Sequence, residues 1–134
     1  MTAHVWLAHF PAALIVTGAT ADVLGAATRR PGLRATAGAL LVLGAAAALA
    51  SFLTGQGALM AAAARIGAAN PHVEAHTQWG GAGVWPLAAL GLLRFAWRKR
   101  LDGVHGWALL AAAIVSAALV LAIVASGLRI AHGA

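Results

Sequence analysis

Six histidines, at positions 4, 9, 72, 76, 105 and 132, are the residues of this chain best suited to chemistry, and no cysteine accompanies them. A neutral imidazole can ligate iron, zinc or copper, and it can exchange a proton near neutral pH. His4 and His9 lie at the opening of the first apolar run, His72 and His76 open the third, and His132 closes the fourth. In a chain that runs up, down, up and down, those five histidines reach one face and His105, in the loop between the third and fourth runs, reaches the other. Imidazoles are costly at a lipid boundary, so such a cluster marks a functional site. Its chemistry points to a ligand set for a heme or a metal ion. The lack of cysteine excludes disulfides, thiolate metal sites, iron–sulfur clusters and covalent CxxCH heme attachment.

The third run carries the densest pattern. His72, His76, Gly80 and Gly83 follow at steps of four, four and three, which puts them on one helical face. Glycines below a histidine leave a groove in which a flat macrocycle can lie against the backbone. The plainer alternative is that Gly80, Gly81 and Gly83 permit close helix packing and the histidines cap the membrane interface. His72-Val73-Glu74-Ala75-His76 is not a zinc-protease motif: HExxH sets the glutamate beside the first histidine, whereas Glu74 is two residues from each and faces away.

His9-Phe10-Pro11 places a histidine at or just before a proline-initiated helix start. At the other terminus Arg129 and His132 are three residues apart and adjacent on a helical surface. With Arg65 on the same side, Arg129 could pair with heme propionates, although a basic tail at the membrane surface is the slightly favoured explanation. Gln56 and Gln78 lie near the histidine end and could bond a quinone or an imidazole. Asp22, a carboxylate inside the first run, is expected to form a structural ion pair with Arg29, Arg30 or Arg94 rather than to relay protons. Trp6, Trp79, Trp97 and Trp107 fall near run ends, as interfacial anchors do.

These residues need a scaffold, and composition dictates which. Of 134 residues, 62% are hydrophobic and 9% charged, too few polar groups to cover a soluble domain. The solvent that fits is a lipid bilayer. The sequence predicts one membrane domain over residues 1–134, all-α, an up-down-up-down four-helix bundle with helices near 10–27, 35–64, 71–97 and 107–128. Asn70 and Pro71 supply an N-cap and first helical residue for the third helix, and Pro86 a kink within it. Gly18, Gly25, Gly38 and Gly44 let helix backbones approach in lipid. The uniformly apolar runs do not alternate as barrel strands do. The opening MTAHVW lacks the basic start of a cleavable signal, so the first run is expected to be a retained helix.

The net charge of +6 is no sign of nucleic-acid binding, because the basic residues cluster at the ends of apolar runs. Arg29, Arg30, Arg34, Arg98, Lys99 and Arg100 flank two loops on one side, and only Arg65 and Arg129 lie opposite. The positive-inside rule then puts both termini and the histidine cluster on the non-cytoplasmic side.

The order His4, His9-Phe10-Pro11, Thr54-Gly55, a histidine opening the third helix, and Ser126-Gly127-Leu128 with His132-Gly133 resembles a family of small four-helix bacterial membrane proteins of unknown function. Members of that family begin roughly HPxxVHFP and end GGxLVxxHG. Here His4 is not followed by proline, and Ser126 stands for the first terminal glycine. The resemblance spans nearly the whole chain. It implies a multi-pass protein of the bacterial inner membrane. Fusion of some members to Rieske-type iron–sulfur domains implies membrane electron transfer and suits a b-type heme. Matched by motif, His9 and His132 correspond to family histidines, and His76 or His72 to the one opening the third helix.

The expectation is therefore a non-covalent heme b near the non-cytoplasmic face of an electron-transfer subunit. That subunit would belong to a larger respiratory or photosynthetic complex, or to a homo-oligomer, with a Rieske-type or cytochrome redox partner. The expected cofactor-binding residues are His9, His72, His76, His132, Gly80, Gly83, Arg65 and Arg129, with His76 the first ligand and His9 or His132 the second. The alternatives are a cofactor-free structural anchor and a histidine-rich site for zinc or Cu(II) using His76, His9 and His132. In either case a non-catalytic role is expected over an enzymatic one.

Overall fold

The computed structural model describes the backbone of residues 3–67 and 69–132 and the side chains of residues 9–65, 67 and 69–130. Four α-helices follow in chain order: α1 (Ala3–Ala27), α2 (Pro31–Ile66), α3 (Pro71–Ala96) and α4 (Gly103–His132). Each helix packs on the next, and α4 closes the ring against α1. The helices are longer than the apolar runs. Helix α1 starts at Ala3 and passes through Pro11, so His9 lies within it instead of at its N-terminus. A proline removes one hydrogen bond, and the segment ahead of it contains no other breaker. Helix α2 starts at Pro31, whose fixed φ and missing N–H suit the first helical position. Helix α4 starts at Gly103, which brings His105 into its first turn.

Three helices, α1, α2 and α4, are long and apolar enough to cross a membrane. Helix α3 has 26 residues, but His72, Glu74, His76, Gln78 and Arg94 dilute its hydropathy. Asn70 caps it as expected, its side chain accepting from the His72 backbone N–H at 2.9 Å. Helix α2 has 36 residues and spans about 54 Å at 1.5 Å per residue. Gly55 and Gly57 do not interrupt it.

Large apolar side chains such as Met60, Trp85, Leu92 and Trp107 face outward, and the interior is built from Ile15, Ala19, Leu41, Leu87, Ala113 and Val120. That distribution suits a bundle whose surroundings are apolar and whose helices attract one another by close packing. Between α1 and α2 the contact depends on Gly44, where an added Cβ would lie 2.6 Å from Ile15 Cγ1 and 3.2 Å from the Ile15 backbone nitrogen. Gly44→Ala is expected to force the pair apart and lower stability by about 1–3 kcal/mol. Gly57→Ala should not, because a Cβ there meets nothing within 4 Å. Thermal melts of both variants in one detergent check the pair, and equal losses would contradict the packing argument.

The opposite end from the histidines is tied by a buried ionic hub. Asp22 of α1 is fully buried, and its Oδ1 accepts from Arg94 Nη2 of α3 at 2.8 Å and from Arg34 Nε of α2 at 3.1 Å. Arg34 also donates to the Leu101 carbonyl at 2.6 Å and the Gly106 carbonyl at 3.1 Å, while Arg94 Nη2 donates to the Arg34 carbonyl at 2.9 Å. One carboxylate thus joins α1, α2, α3 and the start of α4. The expected partner Arg94 is present, but Arg34 stands where Arg29 or Arg30 was expected. The chain leaves α1 through a turn in which Arg30 N–H bonds Gly25 O at 2.9 Å and Arg29 N–H bonds Ala26 O at 3.3 Å. That is the Schellman pattern, with Arg29 in left-handed backbone at φ 55°, and it leaves both arginines exposed. Arg34, one turn inside α2, reaches back instead. Two of the glycines anticipated as helix contacts serve this hub, since a Cβ at Gly25 would strike Arg34 Cγ at 2.7 Å and one at Gly38 would crowd Arg94 Nε at 3.1 Å.

Candidate functional site

At the histidine end, the four helices border a mostly apolar, partly open cavity of about 260 Å³. Pro11 contributes from α1, Phe52 and Gln56 from α2, and Val120 and Ile123 from α4. The α3 wall is His76, Thr77, Gly80, Gly81, Val84 and Leu87. Cβ atoms added at Gly80 or Gly81 would meet nothing within 4 Å, so backbone lines the cavity there without side chains above it. Among the described residues its polar groups are His76, Thr77, Gln56 and Ser51. The Thr77 hydroxyl is already committed, donating to the Val73 carbonyl at 2.8 Å.

His76 is half-buried and docks on α4. Its Nδ1 lies 2.9 Å from Ser126 Oγ, and that hydroxyl donates to the Ile123 carbonyl at 2.7 Å. Gly127 makes room for the ring, because a Cβ there would come within 3.2 Å of His76 Cε1 and 3.5 Å of Nδ1. The Ser126-Gly127 pair is therefore the seat of the His76 side chain. Sequence reasoning marked Ser126 only as a departure from a glycine motif, and the signal that would have found its role was its depth on α4 opposite His76.

The expected stripe on α3 divides. His76 and Gly80 border the cavity, but Gly83 faces α4, where an added Cβ would lie 2.7 Å from Ile123 Cδ1. Seven residues are about 700° of helix, so Gly83 keeps within roughly 20° of the bearing His76 takes toward α4. Gly83 therefore closes the packing instead of lining the groove, and Gly81 and Thr77 line it in its place.

The other expected site residues lie around this cavity but not on its wall. His72 is half-buried in the first turn of α3. His9 is exposed, two residues before the cavity-lining Pro11. Arg65 and Arg129 are exposed, near the C-terminal ends of α2 and α4. The side chains of His4 and His132 lie outside the described residues. Among the described residues, no three His, Asp or Glu side chains converge so as to hold a metal ion. Glu74 is exposed and accepts from Gln78 Nε2 at 3.2 Å, which removes it from His76 as expected. His105 is at the hub end, its ring edge-on to Trp97 with centroids 4.9 Å apart.

Neither curated proteins nor solved structures give a match to this chain. A family model does, that of the predicted membrane protein family DUF2231, and it covers residues 1–133. A helical bundle with three apolar spans, matched by that model over nearly its whole length, belongs to the DUF2231 family of membrane proteins.

Proposed function

We propose that this protein is a membrane-embedded electron-transfer subunit that holds a non-covalent b-type heme in the His76 cavity. The observation that carries the reading is the His76 imidazole at the edge of a mostly apolar, four-helix cavity whose floor at Gly80 and Gly81 is bare backbone. A flat, largely apolar ring needs such a floor, and its iron needs such a donor. The volume of about 260 Å³ lies just below the usual range for small-molecule pockets, about 300–1,000 Å³. A macrocycle would therefore need Phe52 or a neighbouring side chain to turn aside.

When bound, the heme supplies one-electron chemistry, and the chain supplies position and a dry environment. His76 would be one axial ligand. His9, in the second turn of α1, or His132, at the end of α4, would be the second, with Arg65 and Arg129 available to the propionates. The clustering of arginines at the other end supports a cavity toward the non-cytoplasmic face of a bacterial inner membrane. There a Rieske-type or cytochrome partner, within a larger complex or homo-oligomer, would exchange electrons with it.

Membranes from heme-supplied cells are expected to show a low-spin b-type spectrum that sharpens on reduction, and a reporter fused after His132 should be active only outside the cytoplasm. A colourless purified protein would instead support a structural anchor. That second reading draws on the exposed apolar faces of α1, α2 and α4, which suit packing against larger subunits. A zinc or copper site would need His9 and His132 to join His76, and metal analysis of the same preparation tests it.

A further inference from the structure

We propose that the hub end of the bundle is a binding surface for anionic phospholipid headgroups, with Arg29, Arg30, Lys99 and Arg100 as its phosphate-binding cations. The inference does not depend on what occupies the His76 cavity.

Charge is distributed unevenly along the bundle. Seven of the nine basic residues lie in the hub or in the two loops beside it. Only Asp22 and Asp102 offset them there, so this end carries five of the chain's six net positive charges. Asp22 is committed inside the hub to Arg34 and Arg94. Outside it, Arg29 and Arg30 in the α1–α2 turn and Arg98, Lys99 and Arg100 in the α3–α4 loop are all exposed. Arg98 is held locally, its Nη1 donating to the Phe95 carbonyl at 2.9 Å and its guanidinium 4.5 Å from the centroid of the Phe95 ring. The other four side chains make no hydrogen bond or ion pair among the described residues.

The backbone that carries these cations is fixed. Arg34 ties α2 to the Leu101 carbonyl at 2.6 Å and the Gly106 carbonyl at 3.1 Å, which draws the α3–α4 loop against the start of α2. Arg100 N–H bonds Trp97 O at 2.8 Å, and the Schellman turn holds residues 28–30. The two basic loops therefore form one surface at set positions.

Their depth suits lipid phosphates. The exposed side chains next to them are apolar: Leu24 on α1, Phe95 on α3, and Val104 and Trp107 on α4. Leu24 is five residues from Arg29, and Phe95 is four from Lys99, roughly one helical turn of about 5.4 Å. The cations thus stand one turn beyond lipid-facing side chains, at the level where tryptophan anchors and headgroups meet. A guanidinium takes two phosphate oxygens at once, and clusters of about four to eight basic residues just beyond a membrane helix bind anionic lipid. Like charges packed at one end repel one another, so headgroups that neutralise them stabilise the folded bundle by mass action. The same cations orient the chain during insertion, whereas lipid binding is an equilibrium property of the folded protein.

The test uses the full-length protein, kept without heme, in phosphatidylcholine membranes. Electron paramagnetic resonance of spin-labelled lipid resolves the fraction held at the protein surface, for phosphatidylglycerol and phosphatidylcholine of matched acyl chains. Wild type is expected to prefer phosphatidylglycerol about 5-fold, the factor that one cation near an anionic headgroup supplies. The preference should collapse in about 1 M salt, where screening acts over about 3 Å. Arg29→Gln with Arg30→Gln, and Lys99→Gln with Arg100→Gln, should each lower it by roughly half or more, and Arg65→Gln with Arg129→Gln, at the opposite end, should leave it unchanged. Each loop pair keeps the other loop charged, so orientation in the membrane is preserved. Equal association of the two lipids with wild type, an unchanged preference in both loop pairs, or an equal loss in the Arg65 and Arg129 pair would overturn the proposal. Displacement of the labelled phosphatidylglycerol by inorganic phosphate at matched ionic strength would also overturn it, by assigning the loops to a soluble anion.

Discussion

Replacing Asp22 with asparagine is expected to deplete the folded protein while leaving any cofactor spectrum unchanged in the protein that remains. Asp22 is the sole carboxylate facing two guanidinium groups in the hub, with side-chain exposures of 0% for Asp22, 3% for Arg94 and 12% for Arg34. Removing one partner of a buried ion pair leaves the other charge uncompensated, a loss of about 3–5 kcal/mol. Here the loss is shared by α1, α2, α3 and the start of α4, because Arg34 and Arg94 each also hold backbone carbonyls that depend on their present pose. The cavity should be unaffected. Residues 76 and 94 are eighteen positions apart on α3, about 27 Å along the axis. Size-exclusion recovery and the melting temperature in detergent measure the effect. Normal recovery together with failed proton or electron transfer would replace the structural role of Asp22 with a relay.

His76→Ala is expected to abolish a low-spin heme spectrum, with an effect larger than that of any other single histidine described here. His76 is the one imidazole among the described residues that lines the cavity, and the α4 seat at Ser126 and Gly127 offers no replacement donor. His105→Ala should leave the spectrum intact, since that ring is at the hub end against Trp97. His72→Ala should do the same, because His72 is not on the wall. Gly80→Leu provides an independent check. A Cβ there meets nothing within 4 Å, and the rest of the side chain would fill the floor on which the ring would lie. Heme occupancy should drop while the protein remains folded. A full low-spin spectrum in His76→Ala would transfer the ligand to His72, and an unchanged spectrum in Gly80→Leu would put the ring elsewhere.

Much of the bundle was legible because lipid imposes few options. Long apolar runs separated by Arg-rich and Pro-Gly breaks must be helices, since every backbone group in a bilayer needs an internal partner. Helix boundaries were less legible. Pro11 read as a helix start and proved to be inside α1, and Gly103 rather than Trp107 opens α4. A local breaker signals a possible end, but packing of the flanking turns decides whether the helix stops there.

At the site, the sequence identified His76 and the bare face at Gly80, because a spacing of four defines a shared helical side. It also expected an ion pair for Asp22 with Arg29, Arg30 or Arg94, because an intramembrane carboxylate demands a cation, and of these the structure supplies Arg94. It could not assign Arg34 over Arg29 and Arg30, because that choice follows from the turn that sends Arg29 and Arg30 outward. Nor could it separate Gly83 from Gly80. Both satisfy the same periodicity, and only the position of α4 makes one a packing contact and the other a cavity floor. The bond from His76 to Ser126 joins residues fifty positions apart. Residue type and helical period fix which side chains share a face, and they determined that this chain is a helical membrane bundle. Which face meets which neighbour, and so which histidine lines a cavity, depends on interhelical packing, a property that no stretch of sequence carries alone.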